Sequence, residues 1–300
     1  MSVIECKELS KAYGRKKALH QVSFTIKENT ITGLIGRNGA GKTTLLKIIA
    51  GFIRETEGEI NVFSRHPFNS LFVSANRIYI DDQMNFPNTL TLKDILQSAA
   101  TFYGNWDQIL AERLFDYFSF YPTWRYQQLS KGMKSTFNMI IGLSARCPLT
   151  IFDEPTTGMD ASVRKDFYRA LLKDYLDHPR TIILSSHLLN EIEDLLEDVL
   201  LLKDGEKCLY LSIDELKEYG VYLKGSVNCV RDIAGDKEIM YEKSLGNDHL
   251  LIGIKNTLTN LEIEQAVLMG VQISPISTDD LCTYLTNKTI GGIDDVFNRS

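Results

Sequence analysis

Long hydrophobic runs are what this 300-residue sequence most plainly lacks. Its longest apolar stretches, at 139–143 and 199–202, fall far short of the roughly 20 residues that cross a bilayer as a helix, so any membrane role must come through a partner. The opening stretch MSVIECKELSKAYGRKK puts charge where a signal peptide needs an apolar core, and no export of the chain is indicated. Cysteine is sparse: Cys6, Cys147, Cys208, Cys229 and Cys282 are scattered, odd in number and never in a Cys-x-x-Cys pair. That pattern argues against a disulfide framework and against a zinc site, and it reads as reduced thiols in a cytosolic protein. Basic charge is in deficit too, with 33 Lys and Arg against 39 Asp and Glu for a net charge of −6. No global positive field recruits nucleic acid or an anionic membrane surface, and no nucleic-acid partner is expected.

What remains is a chain that can bury a core. Its 44% hydrophobic and 24% charged residues sit near globular averages, which removes disordered, collagen-like and low-complexity readings. Short apolar strands are predicted at 3–9, 21–26, 30–35, 59–63, 77–80, 149–152, 181–184, 199–202 and 207–211, with helices at 42–50, 161–176 and 188–196. Strands separated by helices need crossovers, so the central sheet is expected to be parallel. Between 86 and 146 the pattern changes to aromatic-faced helices at 91–103, 107–120 and 131–145, a helical insertion. A capping-box sequence at Ser212-Ile-Asp-Glu215 then starts a short helix. Beyond a boundary in 219–225 come strands at 226–230, 250–254 and 271–274 and helices at 260–269 and 278–285. The expected fold class is α/β: a core with a mixed sheet over 1–220, carrying the helical insertion, and a small α+β accessory module over 221–300.

Two motifs carry chemistry by themselves. Gly36-Arg-Asn38-Gly39-Ala40-Gly41-Lys42-Thr43 matches GxxxxGK[ST] directly after a predicted strand and before a predicted helix, and Thr44 extends it. Glycines let backbone N–H groups curl around a phosphate, the helix N-terminus adds a favourable dipole, Lys42 reaches the β/γ-phosphates, and Thr43 can ligate Mg²⁺. Downstream, Leu149-Thr-Ile-Phe-Asp153-Glu154-Pro155 is an apolar strand ending in two acids. It delivers Asp153 beside the phosphate loop to hold Mg²⁺, and Glu154 to where an attacking water would sit. Nucleotide hydrolysis with Mg²⁺ is the expected chemistry.

A third motif, Leu129-Ser130-Lys131-Gly132-Met133, precedes the acidic strand. In this order the set resembles the ATP-binding subunits of ABC transporters over about residues 3–211. Ser130 and Gly132 match the family's LSGGQ signature, while Lys131 and Met133 depart from its commonest form. The resemblance implies that Tyr13 stacks on adenine, that Asp160 is the D-loop aspartate and that His187 is the switch histidine beside the γ-phosphate. The Q-loop glutamine is less regular: counting from Tyr79 puts Asp82 there, and Gln83 follows it; either could approach Mg²⁺. Implied as well are a second ATPase subunit, as homodimer or related heterodimer, and head-to-tail dimerisation with each ATP between one P-loop and the other signature. A separate multi-span permease would meet the insertion around 86–121, placing the chain in the cytoplasm, peripheral on the cytoplasmic face of the membrane. Of its aromatics Phe102, Tyr103, Trp106, Phe115, Tyr117, Phe118 and Phe120, most are expected in the core. The LSKGM form and C-terminal extension resemble export-type or acetoin-utilisation-type subunits. A soluble ABC-type ATPase acting in macromolecular or cofactor assembly is the alternative.

Overall fold

A computed structural model describes residues 1–246 and 248–287, and the chain divides into two compact units between Tyr210 and Leu211. The division falls ten residues before the expected boundary, so the short helix that follows Ser212 belongs to the second unit.

In the first unit, β1 (Ser2–Tyr13), β2 (Lys16–Lys27), β3 (Ile31–Ile35), α1 (Lys42–Ile49), β4 (Glu57–Val62), α2 (Leu71–Ala75) and β5 (Arg77–Ile80) precede the helical insertion. The insertion holds α3 (Leu92–Phe102), α4 (Gln108–Tyr117) and α5 (Lys131–Ser144); β6 (Leu149–Asp153), α6 (Ala161–Asp177), β7 (Thr181–Ser186), β8 (Asp198–Lys203) and β9 (Glu206–Ser212) complete the α/β pattern. The sheet β5-β6-β7-β3-β8-β9 is parallel from β5 to β8, and a smaller antiparallel sheet runs β2-β1-β4. Every residue of β3, β6 and β7 is buried, as befits strands covered on both faces. Leu45, Leu46, Ile48 and Ile49 of α1 pack in one cluster with Ile4 and Leu9 of β1 and with Ile151 and Ile183 of the parallel sheet. The helix that opens at the phosphate loop is therefore gripped by both sheets.

The insertion's core differs from expectation. Of the seven aromatics singled out, only Phe115 and Phe120 are buried, and Phe102 and Tyr117 stand exposed. The centre is filled instead by Phe137, ringed by Phe86, Phe115, Phe120 and Tyr126 in mostly edge-on contacts. Segment 188–196 is not one helix but two 3₁₀ turns, Leu189–Glu191 and Glu193–Leu195. Leu189, Ile192 and Leu196 are its buried residues, and the three-residue spacing of the first two suits the tighter turn.

The second unit runs α7 (Ile213–Lys217), β10 (Gly220–Ser226), α8 (Val227–Ala234), β11 (Ile239–Ser244), β12 (His249–Lys255), α9 (Asn260–Leu268), β13 (Gln272–Pro275) and α10 (Thr278–Thr286). Its antiparallel sheet, ordered β11-β12-β10-β13, has the β-α-β-β-α-β connectivity of ferredoxin-like folds. The strand expected at 226–230 is helix α8; Val230, Ile233 and Ala234 bury one helical face, and the alternation of Val221, Leu223 and Gly225 puts the strand earlier.

Candidate active site

Three neighbouring parallel strands end at one edge of the sheet and bring the chemistry with them. From the end of β3 the loop Gly36–Thr43 curls into α1. Gly41, at the helix N-cap, has φ of 105°, and a Cβ there would lie 2.7 Å from the Ala18 carbonyl oxygen, so both conformation and space demand glycine. Asn38, Gly39 and Thr43 are exposed and Thr44 is half-buried, while Ala40 is buried against the fold. Lys42 is buried; its Nζ donates to the Gly36 carbonyl at 2.6 Å and lies 3.1 Å from Glu154 Oε1.

At the end of β6, Asp153 is buried with both carboxylate oxygens occupied: Ser185 Oγ donates to Oδ1 at 2.7 Å and Tyr79 Oη to Oδ2 at 2.8 Å. Burial, reinforced by the charge of Asp153, pushes the Tyr79 phenol far above its ordinary value and keeps it a donor. Glu154 adopts a left-handed φ of 49°, and its N–H donates to Ser185 Oγ at 2.8 Å. A non-glycine residue in that region costs about 1–3 kcal/mol, strain that concentrates at functional positions. The turn aims the Glu154 carboxylate so that Oε2 meets His187 Nδ1, just beyond β7, at 2.9 Å while Oε1 faces Lys42.

A second constellation lies at the start of α5. Ser130 is the N-cap, its Oγ accepting from the Met133 N–H at 3.3 Å. A Cβ on Gly132 would approach the Gly158 carbonyl oxygen to 2.4 Å, and Ser135 Oγ donates to the Thr157 carbonyl at 2.9 Å. The signature helix thus rests on the loop leading to Asp160, which is exposed at the N-cap of α6 and makes no capping bond. Lys131 Nζ lies 3.6 Å from Asp82; Gln83 is exposed, its N–H donating to Asp81 Oδ1 at 3.1 Å. Burial pushes the Asp81 carboxyl up. Tyr13, half exposed near the end of β1, has Lys11 Nζ 5.2 Å from its ring centroid.

The fold therefore gathers Lys42, Asp153, Glu154 and His187 at one edge, and Ser130, Gly132 and the loop before Asp160 at another place. Sequence reasoning passed over Tyr79 and Ser185. Ser185 stands in the quoted Ser-Ser-His run, and Tyr79 lies on the strand entering the Q-loop, but only the paired strands put their hydroxyls on Asp153.

The sequence pattern described as ABC transporter matches residues 19–157. The ABC transporter ATP-binding protein YtrB of Bacillus subtilis (strain 168) is 33% identical over 220 residues, covering 72% of this chain and 74% of YtrB. The chain belongs to the ABC transporter ATP-binding family. Like YtrB, the bacitracin transport ATP-binding protein BcrA of Bacillus licheniformis is similar, 29% identical over 220 residues, 72% of each protein. A solved ATP-binding subunit of an ABC transporter shares 26% identity at a TM-score of 0.64, covering 72% of this chain and 92% of that one. The dimeric ATP-binding cassette MJ0796 with ADP and Pi, a post-hydrolysis state, has the same fold at 22% identity and a TM-score of 0.61, covering 70% and 98%. As an ABC ATPase the chain binds and hydrolyses ATP as the nucleotide-binding subunit of a transporter. Tyr13, Asp160 and His187 lie outside the residues matched by that pattern.

Proposed function

We propose that two such subunits close head to tail on ATP and drive a separate multi-span membrane permease, with the chain peripheral on the cytoplasmic face. The observation that carries this reading is the Glu154 carboxylate, held between Lys42 at 3.1 Å and His187 at 2.9 Å at the mouth of the phosphate loop. A carboxylate there accepts a proton from an attacking water, and an imidazole beside it orients the γ-phosphate side. Gly36, Asn38, Gly39, Ala40, Gly41, Lys42, Thr43 and Thr44 cradle the phosphates, Tyr13 stacks on adenine, and Ser130, Gly132 and Asp160 serve the ATP of the opposite subunit.

The donor set fits Mg²⁺. Among the described residues no three His, Cys, Asp or Glu side chains gather as a metal cage, so a divalent ion here needs phosphate oxygens to complete its shell. The Thr43 hydroxyl and the Asp153 carboxylate are the hard oxygen donors such an ion takes. Bound there, Mg²⁺ would neutralise charge on the β- and γ-phosphates. Gln83 is the better Q-loop residue, since Asp82 is engaged by Lys131.

No described helix is long and apolar enough to cross a membrane, in keeping with a separate permease. BcrA, named for bacitracin transport, leaves about a quarter of its length outside the match, as this chain does. The second unit is an accessory module that tunes dimerisation or partner choice. Glu154→Gln keeps the shape and removes the proton acceptor: ATP affinity by calorimetry stays as in the wild type, while turnover falls at least about 100-fold. Undiminished turnover would overturn the role of Glu154.

A further inference from the structure

Asp153 is oriented through both of its oxygens, and the donor on Oδ2 comes from the strand that runs straight into Asp81, Asp82 and Gln83. Tyr79 pairs with Ile151 in the β5–β6 register. Side chains two apart on a strand share a face, and the rise between them is about 6.6 Å, within reach of a phenol. The Tyr79 hydroxyl accordingly passes over position 151 and meets Asp153 Oδ2 at 2.8 Å. Its ring is fixed in turn: only 8% exposed, it packs edge-on against Phe52 with centroids 5.2 Å apart. From the other side Ser185 Oγ holds Oδ1. Each carboxylate oxygen keeps a lone pair free, in a direction set by two hydroxyls on flanking strands.

We propose that Tyr79 is a positioning residue for the divalent cation, presenting Asp153 to it in a fixed orientation. The inference rests on the reading of Asp153 as an oxygen donor to Mg²⁺. Hydrogen bonds to a ligating carboxylate commonly carry 10- to 100-fold of metal affinity without touching the metal. Phenylalanine at 79 would keep the ring and its contact with Phe52 and delete only the donor.

The test is calorimetric ATP binding to the full-length chain, in EDTA and across a MgCl₂ titration. Tyr79→Phe should bind ATP in EDTA as the wild type does, with half-saturating Mg²⁺ raised about tenfold or more. Superimposable titrations would overturn the proposal, and so would an equal loss of affinity with and without Mg²⁺, the mark of a packing role. Should Tyr79→Phe not fold, Ser185→Ala deletes the opposite donor and must shift the titration the same way; an unmoved curve counts against the two-hydroxyl clamp. Asp153→Asn separates the two levels. If it leaves the Mg²⁺ titration unchanged, the metal assignment has failed; if it shifts the curve while Tyr79→Phe does not, only the role of Tyr79 falls.

Discussion

Glu154, the proposed proton acceptor, takes an unfavourable backbone to reach its place. Its left-handed φ of 49° is stabilised by the N–H···Oγ bond to Ser185 and by the contacts of its carboxylate with Lys42 and His187. The acid itself was legible in the sequence as the second of an Asp-Glu pair ending an apolar strand. The hydroxyls of Tyr79 and Ser185 that hold the pair were not, because their placement depends on which strands neighbour β6. Burial pushes the Cys6 and Cys147 thiols up to about 12; the Cys208 thiol is pushed up as well, but it stands exposed. The thiolate is the reactive form, so brief alkylation of the native chain near neutral pH should label Cys208 first. Cys6 and Cys147 should react only after unfolding, as mass spectrometry of digested protein would reveal. Early labelling of Cys147 would contradict the packing around β6.

At the scale of elements, the contact between α5 and the loop before α6 is the closest in the second constellation. Gly132 is helical, so alanine there carries no left-handed penalty; its Cβ would press on the Gly158 carbonyl oxygen at 2.4 Å. Backbone cannot yield as a side-chain tip does, and overpacking of this kind costs about 1–3 kcal/mol. Gly132→Ala should lower steady-state ATPase activity at least about tenfold while ATP affinity of the isolated subunit, set by the phosphate loop, changes by less than about threefold. Calorimetry beside an ATPase assay checks both; unchanged turnover would mean the two loops move apart freely. The buried strands β3, β6 and β7 were readable because burial on both faces makes their sequences rich in apolar residues. The 226–230 segment was not: Val227, Cys229 and Val230 have strand-like composition, yet a helical face ending in Ile233 and Ala234 covers the sheet. Composition favours an element weakly, and packing decides it.

For the whole molecule, the order of motifs made the first unit legible almost to its end, and the second unit legible only as α+β. Its ferredoxin-like order depends on long-range antiparallel pairings, β10 with both β12 and β13, that no local pattern encodes. Each unit has its own buried cluster, one around Leu45 and Ile151, the other around Leu223 and Ile252. A chain ending after Ser212 keeps all of β9 and every residue of the nucleotide site. It should fold and bind ATP with unchanged affinity by calorimetry, and it should dimerise more weakly in sedimentation. A soluble, folded truncation that fails to bind ATP would put part of the site in the second unit.

As proposed, ATP joins two copies of this site and hydrolysis parts them. Sedimentation velocity of the Glu154→Gln chain, with and without saturating ATP and Mg²⁺, tests it most directly. The expected result is monomer without nucleotide and a stable dimer with ATP, reverting when ATP is exchanged for ADP. A Glu154→Gln chain that binds ATP by calorimetry yet sediments as a monomer, at concentrations well above its nucleotide affinity, would contradict the head-to-tail homodimer.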